Sequence, residues 1–120
     1  MLTGVAEELA GRHLQFRPMA SADAEAMAEL ERVSFEGAGH APWSATAFLS
    51  ELDPDVAAAR SWWVAHDDGE LIGFAGGMVV DRDVEILDVA VAASHRRSGI
   101  ARKLLAHVSY DAQVLGCTTS

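Results

Sequence analysis

Residues 84–102 read Val-Glu-Ile-Leu-Asp-Val-Ala-Val-Ala-Ala-Ser-His-Arg-Arg-Ser-Gly-Ile-Ala-Arg. The first eight, Val84 to Val91, are rich in β-branched and aliphatic residues and predict a strand. Ala92 to Ser98 is a short basic loop, and Gly99 opens a helix that runs to about Leu115. In that helix Ile100, Leu104, Leu105, Val108, Ala112 and Leu115 fall on one apolar face. Strand, basic loop, glycine and helix is an order with a physical purpose. The first N–H groups of a helix have no partner within it, and with the helix dipole they attract anions. Glycine at position 99 leaves the backbone open to a phosphate. Ala101 keeps the next turn clear, and Arg96 and Arg97 add charge where a diphosphate would lie. A charge-assisted hydrogen bond is worth roughly 1.5–3 kcal/mol, so several hold a pyrophosphate. A solvated loop carrying stray arginines is the competing reading. The GxxxxGK[ST] pattern of a P-loop is absent, and Gly73, Gly76 and Gly77 lie inside a strand pattern rather than before a helix.

Upstream, residues 1–12 read as a leader. His13 to Pro18 alternates as a first strand. Ser21 is placed to cap an Ala/Glu-rich helix to about Ser34, with Met27, Leu30 and Val33 at helical spacing. A glycine-rich loop from Phe35 to Pro42 includes His40. Ser44 caps a second helix that stops near Leu52, before Asp53-Pro54, and Trp43 is placed to pack on Phe48 as a hydrophobic staple. Trp62 to His66 is a strand, Asp67-Asp68-Gly69 a hairpin turn, and Glu70 to Val80 the next strand. The glycines of that strand leave room for a bulge or a close approach. Asp81-Arg82-Asp83 turns the chain into the segment quoted above. The order is β-α-α-β-β-β-α, without internal repeats.

The chain has 120 residues, half of them hydrophobic, which suffices for one core. Its 18 acids against nine Lys and Arg give a net charge of −9. A chain this acidic is a poor general binder of nucleic acid, whose affinity comes from neutralised phosphates. All but one of the 18 acids lie at or before Asp88, whereas Arg96, Arg97, Arg102 and Lys103 cluster after it. The lone cysteine, Cys117, forms no internal disulfide, which points to a reducing cytoplasm. No apolar run reaches the length of a membrane span, and Met1 to Glu8 lacks the basic start of a signal peptide. The histidines show no metal-ligand spacing, so no metal is expected.

The stretch Val89 to Ala101 resembles the acetyl-CoA signature of the GNAT N-acetyltransferase superfamily, a hydrophobic strand followed by Gln/Arg-x-x-Gly-x-Gly/Ala at a helix start. Arg96, Gly99 and Ala101 match its fixed positions. Pro42-Trp43-Ser44, Asp67-Asp68-Gly69 and Glu85 to Val91 are similar in order and spacing to the ribosomal-protein alanine N-acetyltransferases, the RimI type, over about residues 14–116. The resemblance implies an α/β (α+β) fold with a mixed, mostly antiparallel sheet and helices on both faces. After the leader at 1–12, it implies one GNAT domain over 13–120. It implies acetyl-CoA as co-substrate and a primary amine as acceptor, possible acceptors including a protein N-terminus such as that of a ribosomal protein. Arg96, Arg97, Ser98, Gly99, Ile100, Ala101 and Arg102 would bind the CoA pyrophosphate. Val89, Ala90 and Val91 would pair with pantetheine and polarise the thioester, core packing being their bland role.

Glu85 matches a family glutamate and is the candidate general base. Strand alternation puts it on one face with Leu87, Val89 and Val91. Pro42 and Trp43 are candidates for the rim of the acceptor site, with the staple as the competing role for Trp43. Tyr110 does not match the family's acid tyrosine. The family domain continues through a fifth strand, a helix and two more strands, so the expectation is a domain incomplete at its C-terminus with the edge of its last strand open to self-association. A non-catalytic acyl-CoA-binding module and a partner-completed half-domain fit the same residues. Neither nucleic acid nor membrane is expected as a partner.

Overall fold

A computed structural model describes residues 5–9, 12–39, 41–81 and 83–118, and its five strands lie in chain order in one sheet. They are β1 (Val5–Leu9), β2 (Arg12–Pro18), β3 (Arg60–Asp67), β4 (Glu70–Val80) and β5 (Asp83–Val91). The helices are α1 (Ala24–Ser34), α2 (Ala45–Ser50), α3 (Pro54–Ala57) and α4 (Ile100–Thr118). The α/β class, the antiparallel ladder and helices on both faces of the sheet agree with the sequence reading. Every pairing among the described residues is antiparallel.

Two elements were not expected. The strand β1 lies within the segment read as a leader and pairs antiparallel with β2. Its Glu7 and Glu8 are poor strand formers, so propensity gave no signal and the pairing is tertiary. Residues 1–4, 10 and 11 of that segment, like His40 and Arg82 in the expected loop and turn, lie outside the described residues. The second addition is α3, which Asp53 caps through the Asp55 N–H at 3.2 Å and Pro54 opens. Ser21 caps nothing. It begins a short 3-10 turn, and Asp23 instead accepts from the Ala20 N–H and from Arg17 Nη1 and Nη2, each at 2.7 Å. That bidentate pair ties the start of α1 to β2.

The sheet divides the core. On one face α4 lays Ile100, Leu104 and Val108 over Leu14, Phe16, Trp63 and Ala75. On the other, α1 and α2 lay Met27 and Phe48 over Trp62, Val64, Phe74 and Ala90. The apolar face read for α4 is buried at Ile100, Leu104, Val108 and Ala112 and partly buried at Leu105. The side chains of Leu115 and Cys117 lie outside the described residues.

The glycines of β4 do sit at bulges. Ala65 pairs with Gly73 and His66 with Leu71, which leaves Ile72 extra on β4. Gly76 pairs with Asp88 and Gly77 with Ile86, which leaves Leu87 extra on β5. A bulge shifts side-chain alternation by one. The predicted face of Glu85, Leu87, Val89 and Val91 is therefore corrected. A Cβ at Gly77 would meet Val84 and Val108, so Gly77 and its partner Ile86 face α4 with Val84, Val89 and Val91. A Cβ at Gly76 would meet Trp62, so its partner Asp88 faces α1 and α2, as do Ala90, Leu87 and Glu85.

Candidate functional site

The strand β5 runs out at Val91 and a 3-10 turn, Ala93–His95, carries the chain into α4. Between them the backbone takes positive φ at Arg97 (66°) and Gly99 (82°), with Ser98 between on the ordinary side. Left-handed residues in a turn are a backbone pattern from which anion-binding concavities are built. The helix proper begins immediately after, and its first internal bond runs from the Lys103 N–H to the Gly99 carbonyl at 3.1 Å. The N–H groups of Ile100, Ala101 and Arg102 thus stand at an open helix end.

A hollow of about 300 Å³ lies over this helix start, lined by Val91, His95, Arg96, Arg97, Gly99, Ile100, Ala101 and Arg102. Seven of the ten residues expected to hold the cofactor meet there. Ser98 does not line it. Its hydroxyl donates to the His95 carbonyl and ties the loop to itself. Nothing lies within 4 Å of a Cβ built on Gly99, so the approach to its backbone is open. The chemistry of the hollow fits a diphosphate.

The strand end differs from the expectation in detail. The Val89 N–H donates to Asp88 Oδ1 at 2.9 Å, and Arg96 Nε donates to the Val91 carbonyl at 3.2 Å. Ala90 is buried against the α1 and α2 face. Glu85 is exposed on that same side of β5, opposite Met78. It is therefore on the side of the α1–α2 loop rather than on the side of α4.

That loop holds the candidate acceptor rim. Pro42 is exposed and Trp43 is half-buried. The Trp43 ring stacks on Phe48 at 5.2 Å, the expected staple, and meets Trp62 edge-on at 5.3 Å. Ser44 caps α2 as read, its Oγ accepting the Ala47 N–H at 3.1 Å. Trp43 thus contributes packing while remaining half-buried. Among the described residues no group of three or more His, Cys, Asp or Glu is placed to hold a metal ion, and no helix is long and apolar enough to cross a membrane.

Two carboxylates escaped the sequence reading. Asp67, read only as a turn residue, ends β3 before a turn with positive φ at Asp68 (51°) and Gly69 (86°). Its Oδ2 lies 2.7 Å from His95 Nε2, and His95 Nδ1 lies 2.7 Å from Ser94 Oγ. With its Nε2 proton given to Asp67, the imidazole accepts from Ser94. The turn between β3 and β4 thereby anchors the basic loop. Asp67 and His95 are 28 residues apart, and no spacing rule joins them. We expect Asp67→Ala to weaken CoA binding about fivefold by loosening that anchor, roughly the worth of one hydrogen bond. Calorimetric titration with CoA checks this, and unchanged affinity would show that the loop holds its shape alone. The other carboxylate is Glu31, which is 1% exposed and whose Oε2 accepts the Trp43 N–H at 3.1 Å.

The family model "Acetyltransferase (GNAT) family" matches residues 24–120. No curated protein sequence matches. Among solved structures, the ribosomal-protein-S18-alanine N-acetyltransferase of Escherichia coli superposes with a TM-score of 0.65 at 21% identity, over 82% of this chain and 59% of that one. The PaiA N-acetyltransferase of Thermoplasma acidophilum, solved with coenzyme A, gives 0.74 at 18% identity over 86% of this chain and 74% of that one. The diaminobutyrate acetyltransferase EctA of Paenibacillus lautus, solved with L-2,4-diaminobutyric acid and coenzyme A, gives 0.69 at 23% identity over 88% and 63%. The chain thus spans 59% of the length of the Escherichia coli structure. Likeness at these identities carries the fold and not the substrate.

Proposed function

We propose, from the premise that this chain belongs to the acetyltransferase (GNAT) family, that it serves acetyl transfer from acetyl-CoA to a primary amine. The observation that carries the reading is the hollow at the start of α4, where positive φ at Arg97 and Gly99, the free helix end and three arginines converge. The pyrophosphate of CoA would lie there, on the backbone of Arg97 to Arg102, with Arg96 and Arg97 supplying charge. The strand end, Val89 to Val91, would receive the pantetheine arm and the thioester.

The reaction on this reading is direct. The amine nitrogen attacks the thioester carbonyl, the C–S bond breaks, and CoA leaves as a thiolate that takes a proton. The acceptor arrives as an ammonium and must first lose a proton. Glu85 is the group proposed to take it, from the α1–α2 side of β5, and Pro42 and Trp43 would border the acceptor. A protein N-terminal α-amine is the proposed acceptor, supported by the likeness to ribosomal-protein-alanine acetyltransferases in order and spacing. An open edge on β5 that pairs with a second chain belongs to the same proposal, as does action in the cytoplasm.

The test is release of free CoA thiol with acetyl-CoA and a panel of amines, comprising an alanine-initiated peptide, L-2,4-diaminobutyric acid and an aminoglycoside. Turnover only with the peptide supports the full reading. Turnover with another amine replaces the acceptor, and none with any amine overturns transfer. We expect Glu85→Gln to lower the rate about a hundredfold, the lower end for a positioned base, with CoA affinity unchanged. A variant within about threefold of wild type across pH would give the proton to another group.

A second reading has a specific observation behind it. The Val89 N–H and the Val91 carbonyl, both needed by pantetheine, already hold Asp88 and Arg96. A module that binds CoA by its pyrophosphate and transfers nothing has those groups in their resting bonds. It would titrate with CoA and release no thiol.

A further inference from the structure

Glu31 is buried on α1 and Asp88 half-buried on β5, the two elements pack together, and neither residue has a cation partner among the described residues. Glu31 Oε2 accepts the Trp43 N–H at 3.1 Å, and Asp88 Oδ1 accepts the Val89 N–H at 2.9 Å. The remaining oxygens, Glu31 Oε1 and Asp88 Oδ2, are buried and take no hydrogen bond from any donor among the described residues. The helix α1 packs on β5, and the two carboxyl groups are neighbours between them. Two ionised carboxylates in contact and out of water repel strongly, and a buried acceptor without a donor is costly. One proton removes both costs.

We propose that Glu31 and Asp88 hold a single proton between them, closing a buried strap that runs from the Trp43 amide through both carboxyls to the Val89 amide. Asp88 and Glu31 are then positioning residues. They join the loop between α1 and α2 to the end of β5, the two segments that flank the proposed acetyl site. The strap itself rests on the packing of α1 on β5 and the unpartnered oxygens between them, and only its bearing on transfer rests on the reading above.

The groups around Asp88 support one proton and supply no rival for it. From α1 the facing titratable group is Glu31, since Arg32 pairs with Glu29 on the exposed side. From β4 the facing residues are Phe74, Gly76 and Met78, none titratable. From β5 itself Glu85 shares the face but is exposed. Burial, then the hydrogen bond and the charge of Glu31, push the Asp88 carboxyl up to about 8, against the single opposing pull of the Val89 N–H. The unfolded chain has Asp88 at its ordinary value of 3.8, so between these values the folded state binds a proton that the unfolded state lacks. Stability from this pair is full below the ordinary value and is lost as pH rises toward about 8.

Side-chain carbon-13 NMR of the wild-type chain reads the titration directly. We expect one carboxyl step near 8 on the Glu31–Asp88 pair, with the Trp43 amide exchanging faster above it after correction for base catalysis. Asp88→Asn should keep the strap at every pH. Its amide oxygen accepts from Val89 and its NH₂ donates to Glu31 Oε1. Melting temperature should therefore fall from about pH 5 to about pH 9 in wild type and fall less in Asp88→Asn. If both carboxyls titrate in the ordinary carboxylate range the proposal is overturned, whether or not the variant folds. A chain that shows the step and the amide response but binds no CoA retains the strap and loses the transferase reading.

Discussion

Gly99→Glu should lose CoA binding by about a hundredfold or more while the chain still folds. Gly99 sits at φ 82° with nothing within 4 Å of a would-be Cβ. A side chain there meets space rather than protein, so the folding cost is the left-handed backbone alone, about 1–2 kcal/mol. That space is the approach to the first amides of α4. A carboxylate in it blocks the backbone and repels an anion, removing two or more charge-assisted hydrogen bonds of roughly 1.5–3 kcal/mol each. Gly99→Ala separates the effects, because it carries the same backbone strain without charge. Melting curves should coincide for the two variants, and calorimetric titration with CoA should distinguish them. Equal CoA affinity in wild type and Gly99→Glu would remove the anion site from α4.

Gly76→Ala should destabilise the chain by about 3 kcal/mol or more, at or above the usual range for overpacking. A Cβ at Gly76 would lie 2.1 Å from Trp62 Cδ2 and Cε3. The indole cannot step aside. It is 5% exposed, with Phe48 edge-on at 5.5 Å and Trp43 at 5.3 Å, and its Nε1–H donates to Glu51 Oε1 at 3.0 Å. Glu51 is held in turn by Arg60 Nε at 2.8 Å. Either the sheet parts at Gly76 or the aromatic cluster under the α1–α2 loop opens. A melting midpoint lower by roughly ten degrees, with altered near-ultraviolet dichroism of the tryptophans, is the expected outcome. A midpoint within a degree or two of wild type would mean that the cluster has slack the distances do not suggest. The hollow at α4 lies across the sheet, so folded variant should still take up CoA.

These two glycines mark what was legible beforehand. Gly99 was readable because its neighbours are its neighbours in sequence: a strand before, a helix after, arginines beside it. The Ser44 cap and the Trp43–Phe48 staple were legible for the same reason, as were the bounds of β4. Gly76 announced only that some backbone or ring comes close. That Trp62 is the ring depends on how β3 pairs with β4, which no local pattern states. The face of Glu85 failed on one residue. Alternation is a sound rule for an unbroken strand, and nothing in Glu-Ile-Leu-Asp-Val says that Leu87 stands outside the ladder. Asp67 beneath His95 and Glu31 against Asp88 were hidden more deeply. Each pair joins residues from separate elements, and each member alone looks like an ordinary turn or helix acid. The strand β1 was hidden by its glutamates, which a sheet tolerates when the neighbouring strand supplies the pairing.

The extra residue in β5 has a consequence for how related sequences can drift. Positions 84 and 86, and then 89 and 91, answer to α4, whereas 85, 88 and 90 answer to α1 and α2. The odd and even rows of this strand exchange allegiance at Leu87. Tolerated change should therefore beat with period two on either side of that residue and slip by one step across it. A relative shortened by one residue there would face a choice. It would have to move its acidic position to the neighbouring site, or surrender its carboxylate to the apolar side of the sheet.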